Sequence, residues 1–361
     1  MCVGSTVAEP YGAGSMNPTL VDALLLQFSG SLGRTGDATL CTAGGLSGSE
    51  VWQVPTASGV FALRAWPSQT TTADWPEWIA GVLRGAESAG CRLVPVPRPL
   101  ADDPRRTCLH AGDRWWQLEP WMPGTADYLD KPNDAKFLAA FFELGRLHNC
   151  LRDGNPRELQ RGMSQAVSKR QAVFDDLTHG GWAEVQKAVA HPSPTLVAWS
   201  ELADAVVEFA RLYAKCGPRV ESLLQLTARQ IFALQPVAGD LHAEHVLFQG
   251  DDVSGFVDFG AMAVDNVALD VARLIGSMAG EDRQARASAL VAYASARQSS
   301  AGLSVEEEVL VEVLDRSGAL LAPYRWLRWI YVERREFPRR DAVLARFRLV
   351  MDRLRKMAES W

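Results

Sequence analysis

Gly239-Asp240-Leu241-His242-Ala243-Glu244-His245-Val246-Leu247-Phe248, a polar turn over 249–252, and Gly255-Phe256-Val257-Asp258-Phe259-Gly260 together form the stretch that decides the fold. It reads as a loop carboxylate, a short β-hairpin, and a second carboxylate at the end of the returning strand. Phosphoryl transfer uses such a pair. One Asp orients the accepting hydroxyl and the other holds Mg²⁺ against the phosphates. Asp240 is the candidate catalytic base and Asp258 the candidate metal ligand; a lone turn-forming Asp would read differently, as a local hydrogen-bonding residue.

Upstream, Gly44-Gly45-Leu46-Ser47-Gly48 precedes two short extended runs, Val51–Val54 and Val60–Trp66, joined by a turn at 56–59. Glycine lets backbone N–H groups come close to an anion. Gly44, Gly45 and Gly48 are therefore candidates for a loop over phosphates, with an ordinary hairpin turn as the other reading. Arg64 lies on the second run, where its forked guanidinium suits phosphate oxygens; an exposed strand arginine is the alternative. Arg114–Glu119 alternates as a third strand and stops at Pro120-Trp121-Met122-Pro123-Gly124. Glu119, Trp121 and Met122 then border either an adenine-binding hinge or a simple linker.

The rest is mainly helical. Asn17-Pro18 reads as a helix start, with Leu20, Leu24 and Phe28 on one face. Trp75 to Ala89 reads as a helix carrying Glu77. Phe137, Phe141, Leu144, Leu147 and Leu151 recur at helical spacing. Residues 160–228 show no strand signal, and helical pattern resumes at 268–278 and continues, with breaks near Gly302 and Pro338. The expectation is an α+β chain of two lobes. Residues 1–16 read as disordered, with Met16 a possible alternative start; 17–122 form a small strand-rich lobe, and 123–361 a larger helical lobe that carries the hairpin.

The 361 residues are 47% hydrophobic and 22% charged, ordinary for a globular chain with room for sizeable cores. A formal charge of −6 and a pI near 5.6 argue against a general nucleic-acid binder. The tail from 325 to 356 holds eleven Arg or Lys and four acids, net +7, so the remainder carries −13. Arginine-rich faces of amphipathic helices account for that tail. The six cysteines show no C-x-x-C or zinc spacing, which implies a reduced, cytoplasmic protein without a structural metal. No apolar run is long enough to span a membrane.

With these motifs in order, the chain resembles the aminoglycoside phosphotransferase/choline kinase superfamily, small-molecule kinases with a protein-kinase-like fold. In that superfamily the loop reads His-Gly-Asp-Leu-His-x-x-Asn and the later strand ends Ile-Asp-Phe/Trp. The specific match lies in 238–273; the remainder, roughly residues 35 to 350, matches in element order. The resemblance implies ATP and Mg²⁺ as cofactors and a small-molecule hydroxyl as acceptor. It places Arg64 at the phosphate-binding strand position and Glu77 as its helix partner, Glu119 to Met122 at the hinge, and Asp270 as a brace of the catalytic loop. Trp326 or Arg325 would line the acceptor pocket.

Two positions depart from the pattern. Ala238 replaces the His before Gly-Asp, and His245 replaces the Asn that binds the second metal. Imidazole is a poor Mg²⁺ ligand and a better one for Mn²⁺ or Zn²⁺. Three readings stay open: His245 as ligand of another divalent ion such as Mn²⁺, a weakened metal position in a slow enzyme, or a degenerate site in a nucleotide-binding pseudokinase. The acid-rich remainder would suit a cationic acceptor, though solvated surface acids account for it equally.

Overall fold

The computed structural model describes residues 18–30, 32–42, 48–191, 197–297, 302–337 and 339–360. In chain order its elements are α1 (Pro18–Leu25), β1 (Thr39–Thr42), β2 (Glu50–Thr56), β3 (Gly59–Ala65), α2 (Asp74–Ser88), β4 (Leu109–Ala111), β5 (Arg114–Pro120) and α3 (Asp134–Gly154). There follow β6 (Gln160–Gly162), α4 (Gln165–Asp176), α5 (Trp182–Ala190), α6 (Ala203–Thr227), β7 (Phe232–Val237), β8 (Val246–Gln249), β9 (Asp252–Phe256) and β10 (Ala263–Asp265). The chain closes with α7 (Ala268–Met278), α8 (Arg283–Ala296), α9 (Val305–Leu327) and α10 (Arg340–Ser360).

These elements separate into two compact units, one of 1–159, 236–263 and 289–302, the other of 160–235, 264–288 and 303–361. The first unit is built on a five-stranded sheet of order β1-β2-β3-β5-β4. Alternation sets its two faces, because successive side chains of a strand point to opposite sides. Phe61, Leu63 and Ala65 of β3 join Trp52, Val54, Trp116 and Leu118 on one face, closed by Val21, Leu24, Leu25 and Phe28 from α1 and its exit. Ala62 and Arg64 fall on the opposite face. Leu20, expected on the buried face of α1, is 41% exposed, and Val21 takes that place. Leu24 and Phe28 are buried as expected.

On α3, Phe137, Phe141, Leu144, Leu147 and Leu151 are all buried, as their spacing predicts. Asn133 caps the helix, its side chain accepting from the Lys136 N–H at 2.8 Å. Helices α2 and α3 cross where Gly85 meets Gly154; a Cβ on Gly154 would overlap the carbonyl of Gly85. The hairpin β8–β9 pairs Val246 with Phe256 and Gln249 with Asp252. It is tied to the segment after β5 by two hydrogen bonds, Thr125 N–H to Phe248 O at 3.0 Å and Phe248 N–H to Thr125 O at 2.9 Å.

The second unit packs α4, α6, α7 and α10 against α9. A capping box starts α9, with Ser304 and Glu307 satisfying each other's backbone N–H groups. The short strand β6 pairs with the start of β7, Gln160 opposite Leu234. Three residues carry too little alternation to be read as a strand from sequence, so β6 departs from the all-helical expectation for 160–228. Asn17, residues 1–16 and Pro338 lie outside the described residues. Among the described residues no helix is long and apolar enough to cross a membrane.

The glycine crossing makes a direct test. Gly154→Ala should destabilise the chain by about 1–3 kcal/mol through overpacking. Gly81→Ala, on the same α2 but with nothing within 4 Å of its Cβ, should be neutral or stabilising by up to about 1 kcal/mol. Urea denaturation of both variants measures the contrast.

Candidate active site

The candidate residues of the first unit are held by two unusual backbone positions. Gly239 has φ +84, and a Cβ there would overlap the carbonyl of Ala261. Only glycine lets the loop before Asp240 approach the turn after Asp258 so closely. Asp258 itself is left-handed, φ 64 and ψ 61. A non-glycine residue held in this region costs of order 1 kcal/mol or more, and such strain gathers at functional sites. The turn ends β9 and turns the Asp258 carboxylate out of the strand's alternation.

That carboxylate sits in a chain of charged and aromatic groups. Its Oδ1 is 3.7 Å from Nη1 of Arg64, and its Oδ2 is 3.8 Å from Nε2 of His245. The Arg64 Nε donates to Oε1 of Glu119 at 3.1 Å. On the other side, the rings of His245 and His242 lie 3.7 Å apart, and Nδ1 of His242 is 3.3 Å from Oε2 of Glu244. His245 is 1% exposed, whereas the Asp258 side chain keeps 32% of its surface open. The His245 N–H donates to His242 O at 2.8 Å, and the Val257 N–H donates to His245 O at 3.0 Å, so the loop and the returning strand are stitched through this residue.

Burial pushes the Asp258 pKa up, but Arg64 and then His245 outweigh it, and the carboxyl ends below its ordinary value. For Arg64 burial works the other way, lowering the pKa, while Glu119 and Asp258 more than reverse this. Both groups are therefore held in their charged forms.

Two expectations about partners change. Glu77, expected opposite Arg64, instead accepts from the backbone N–H groups of Thr107 and Cys108, both at 2.8 Å, and from the Thr107 hydroxyl at 2.8 Å. The carboxylate ties α2 to the segment leading into β4, and Arg64 takes Glu119 from β5. The cause is the sheet register: Arg64 faces Gln117 and Ala62 faces Glu119, which sets the Glu119 side chain diagonally beside Arg64. Glu119 was read as part of the hinge; its side chain is committed to Arg64. In the hinge segment the Trp121 N–H already donates to Val60 O at 3.1 Å, prolines at 120 and 123 have no N–H, and Met122 packs on Gly255. Met122 is left as a backbone donor without a protein acceptor among the described residues.

Sequence reasoning missed Trp66 and Gln117. The Trp66 Nε1–H donates to Gln117 Oε1 at 2.9 Å, and Gln117 Nε2 donates to Thr107 Oγ1 at 2.9 Å. The Arg64 guanidinium stands 5.7 Å from the Trp66 ring. Arg64, Trp66 and Gln117 line one small pocket with Ile79, Phe259 and Gly260. Gln117 between Trp116 and Leu118, on the strand face that also carries Glu119, was the available signal. Asp240 is half-buried directly after Gly239, and Ala238 is 2% exposed. Asp270 is fully buried in the first turn of α7, in the second unit. Of the glycine loop only Gly48 is described, exposed and at φ +73; Gly44 and Gly45 lie outside the described residues.

This is the architecture of a kinase-like phosphotransferase: in chain order an antiparallel sheet, a set of helices, a hairpin with a carboxylate at each end, and further helices. The sequence model of the phosphotransferase enzyme family matches residues 42–305. The chain belongs to that family. A spectinomycin phosphotransferase solved with ADP and spectinomycin superposes with a TM-score of 0.66 at 11% identity, covering 98% of this chain and 100% of the other. An aminoglycoside phosphotransferase from Alicyclobacillus acidocaldarius gives 0.56 at 15% identity, with 99% of each chain covered. An amicoumacin kinase solved with AMP-PNP, Ca²⁺ and amicoumacin gives 0.58 at 13%, with 92% of each covered. At these identities the likeness establishes the fold. No curated protein matches the chain in sequence.

The altered partnership predicts separable effects. Glu77→Gln should cost stability, about 1–3 kcal/mol, because buried backbone donors lose their charged acceptor. Glu119→Gln should leave the melting temperature nearer to wild type and act on Arg64, read as weakened ADP binding. Equal loss of ADP affinity in both variants would return Glu77 to the role of Arg64 partner.

Proposed function

We propose that this protein transfers the γ-phosphoryl group of ATP to a hydroxyl of a small molecule, of the amino sugar (aminoglycoside), sugar or amino-alcohol class. The observation that carries the reading is Asp258, held left-handed between Arg64 and His245, on a hairpin whose other end is the Gly239-Asp240 loop. We retain 17–122 as the nucleotide lobe and 123–361 as the lobe of the hairpin and acceptor, in a protein of the cytoplasm. The five described free thiols suit such a reducing compartment.

In this reading Arg64 binds nucleotide phosphates, and Glu119 and Asp258 keep its fork aimed. Trp121, Met122 and the backbone around them border the adenine, with Gly44, Gly45 and Gly48 over the phosphates. Asp240 accepts the proton of the acceptor hydroxyl and orients it in line. Asp258, with His245 beside it, would hold a divalent cation. Its partly open carboxylate fits Mg²⁺, which takes one or two carboxylates and fills its remaining positions with phosphate oxygens and water. When bound, that ion would neutralise charge on the β- and γ-phosphates. Among the described residues no three His, Cys, Asp or Glu side chains gather closely enough to hold an ion by themselves, which agrees with a metal that arrives with its nucleotide.

A second reading is favoured by two positions. His245 and Ala238, both buried where the superfamily has Asn and His, suit a nucleotide-binding pseudokinase with a scaffold role.

Calorimetry with ADP and ATP in Mg²⁺ and in Mn²⁺ tests both. Absence of binding in either metal sinks them together. With an acceptor in hand, Asp240→Asn should lower kcat by roughly two to four orders of magnitude with little change in nucleotide KM, whereas Asp258→Asn should weaken nucleotide binding too. Matching kinetics for the two variants would refute the division of roles.

His245→Asn supplies the oxygen donor that Mg²⁺ prefers. Turnover in Mg²⁺ should rise relative to turnover in Mn²⁺. A variant slower in both metals would mean that His245 serves the site by positioning Asp258.

A further inference from the structure

Carboxylates hold the Arg64 guanidinium at two points. Its Nε donates to Glu119 Oε1 at 3.1 Å, and its Nη1 stands 3.7 Å from Asp258 Oδ1. Two contacts on a planar group leave it free to tilt about the line that joins them. Nη2 has no partner among the described residues, so the tilt decides where the remaining donors point. Trp66 supplies a third contact. The guanidinium carbon is 5.7 Å from the centroid of the indole, within reach of a cation over an aromatic face. The same ring borders the turn after Asp258: a Cβ on Gly260 would lie 4.0 Å from Trp66 Cζ3 and 3.5 Å from Asp258 Oδ1.

The indole is itself anchored. Trp66 is buried; its backbone N–H donates to Trp115 O at 2.9 Å, and its Nε1–H donates to Gln117 Oε1 at 2.9 Å. Gln117 is 1% exposed, and its Nε2 donates to Thr107 Oγ1 at 2.9 Å and to Pro76 O at 3.3 Å. This amide cannot turn over. An indole N–H only donates and a backbone carbonyl only accepts. Flipping Gln117 would set N–H against N–H and oxygen against oxygen, leaving buried polar groups unpaired. The Thr107 hydroxyl gives its own proton to Glu77 Oε2 at 2.8 Å, which turns its lone pairs to Gln117. A relay of fixed donors and acceptors thus runs from the start of α2 to the indole, all of it inside the first unit.

We propose that Trp66 and Gln117 are positioning residues for Arg64: Gln117 holds the indole, and the indole sets the tilt of the guanidinium that meets nucleotide phosphate. The inference rests on the phosphate role of Arg64 proposed above. It gives α2 an indirect hold on the strand cation, through Pro76, Thr107 and Gln117, where a helix carboxylate paired with Arg64 would have held it directly.

ADP and adenosine are the probes, read by calorimetry on the full chain in Mg²⁺. Trp66→Leu removes the flat face and Gln117→Met removes its anchor. Each should weaken ADP on the order of tenfold and leave adenosine binding unchanged, because only ADP carries the phosphates that Arg64 meets. Trp66→Phe, which keeps a ring, should recover part of the loss. In an Arg64→Gln background Trp66→Leu should cost ADP binding nothing further, since the group it positions is gone. Equal weakening of ADP and adenosine would mean a structural role only, and losses that add to that of Arg64→Gln would mean that the indole acts elsewhere. Either result overturns the inference. Where Trp66→Leu does not fold, Gln117→Met is read by the same criteria.

A second measurement needs no ligand. In urea, Trp66→Leu and Arg64→Gln together should shift the unfolding midpoint by less than the sum of their separate shifts, because both break the same contact. Such coupling in a chain that binds no ADP would keep the positioning and remove the phosphate role of Arg64. ADP binding untouched by Trp66→Leu and Gln117→Met would keep the phosphate role and overturn the positioning.

Discussion

The first unit depends on one buried electrostatic arrangement: an aspartate in a left-handed turn, held charged between an arginine and a histidine. Alone, the Asp258 carboxylate would be driven toward its neutral form by burial. Arg64 reverses that, and Arg64 in turn is kept charged by Glu119 and Asp258 together. The left-handed backbone at Asp258 and the bare α-carbon of Gly239 bring the two loops together, and the ion pairs hold the side chains in register.

The choice of Glu119 as partner has consequences for how the sheet and α2 are used. In the expected arrangement a helix carboxylate reaches the strand cation, so movement of the helix would switch the pair. Here the partner comes from β5, hydrogen-bonded to β3 along their shared register. The pair is thereby built into the sheet. Glu77 is released to satisfy three donors at Thr107 and Cys108, fastening α2 to the chain ahead of β4. Arginine rather than lysine at position 64 suits this geometry, since Nε can meet Glu119 while Nη1 faces Asp258.

The two units carry different electrostatics. The first balances its buried cation with two carboxylates. The second pairs Arg286, Arg316 and Arg353 with Asp315, Glu281 and Glu312. Net charge of the whole chain, −6, gives no hint of this, because solvated acids elsewhere dominate the count.

The sequence by itself determined the elements whose signals are local. Glycine and aspartate at 239 and 240 and an aspartate closing the apolar strand at 258 marked the hairpin. Helical spacing marked α3, an extended run after a turn marked β3, and alternation marked β5. Such signals survive in a single sequence because steric limits and burial act on neighbouring residues. What only the tertiary structure decided was partnership. Arg64 could have met Glu77 or Glu119, and the register of β3 against β5 made the choice. The strands β6 and β7 form across a long separation, and β6 is too short to show a period. Charge pairs and short strands are long-range contacts, set by which surfaces meet, and the order of residues along the chain does not encode that meeting locally.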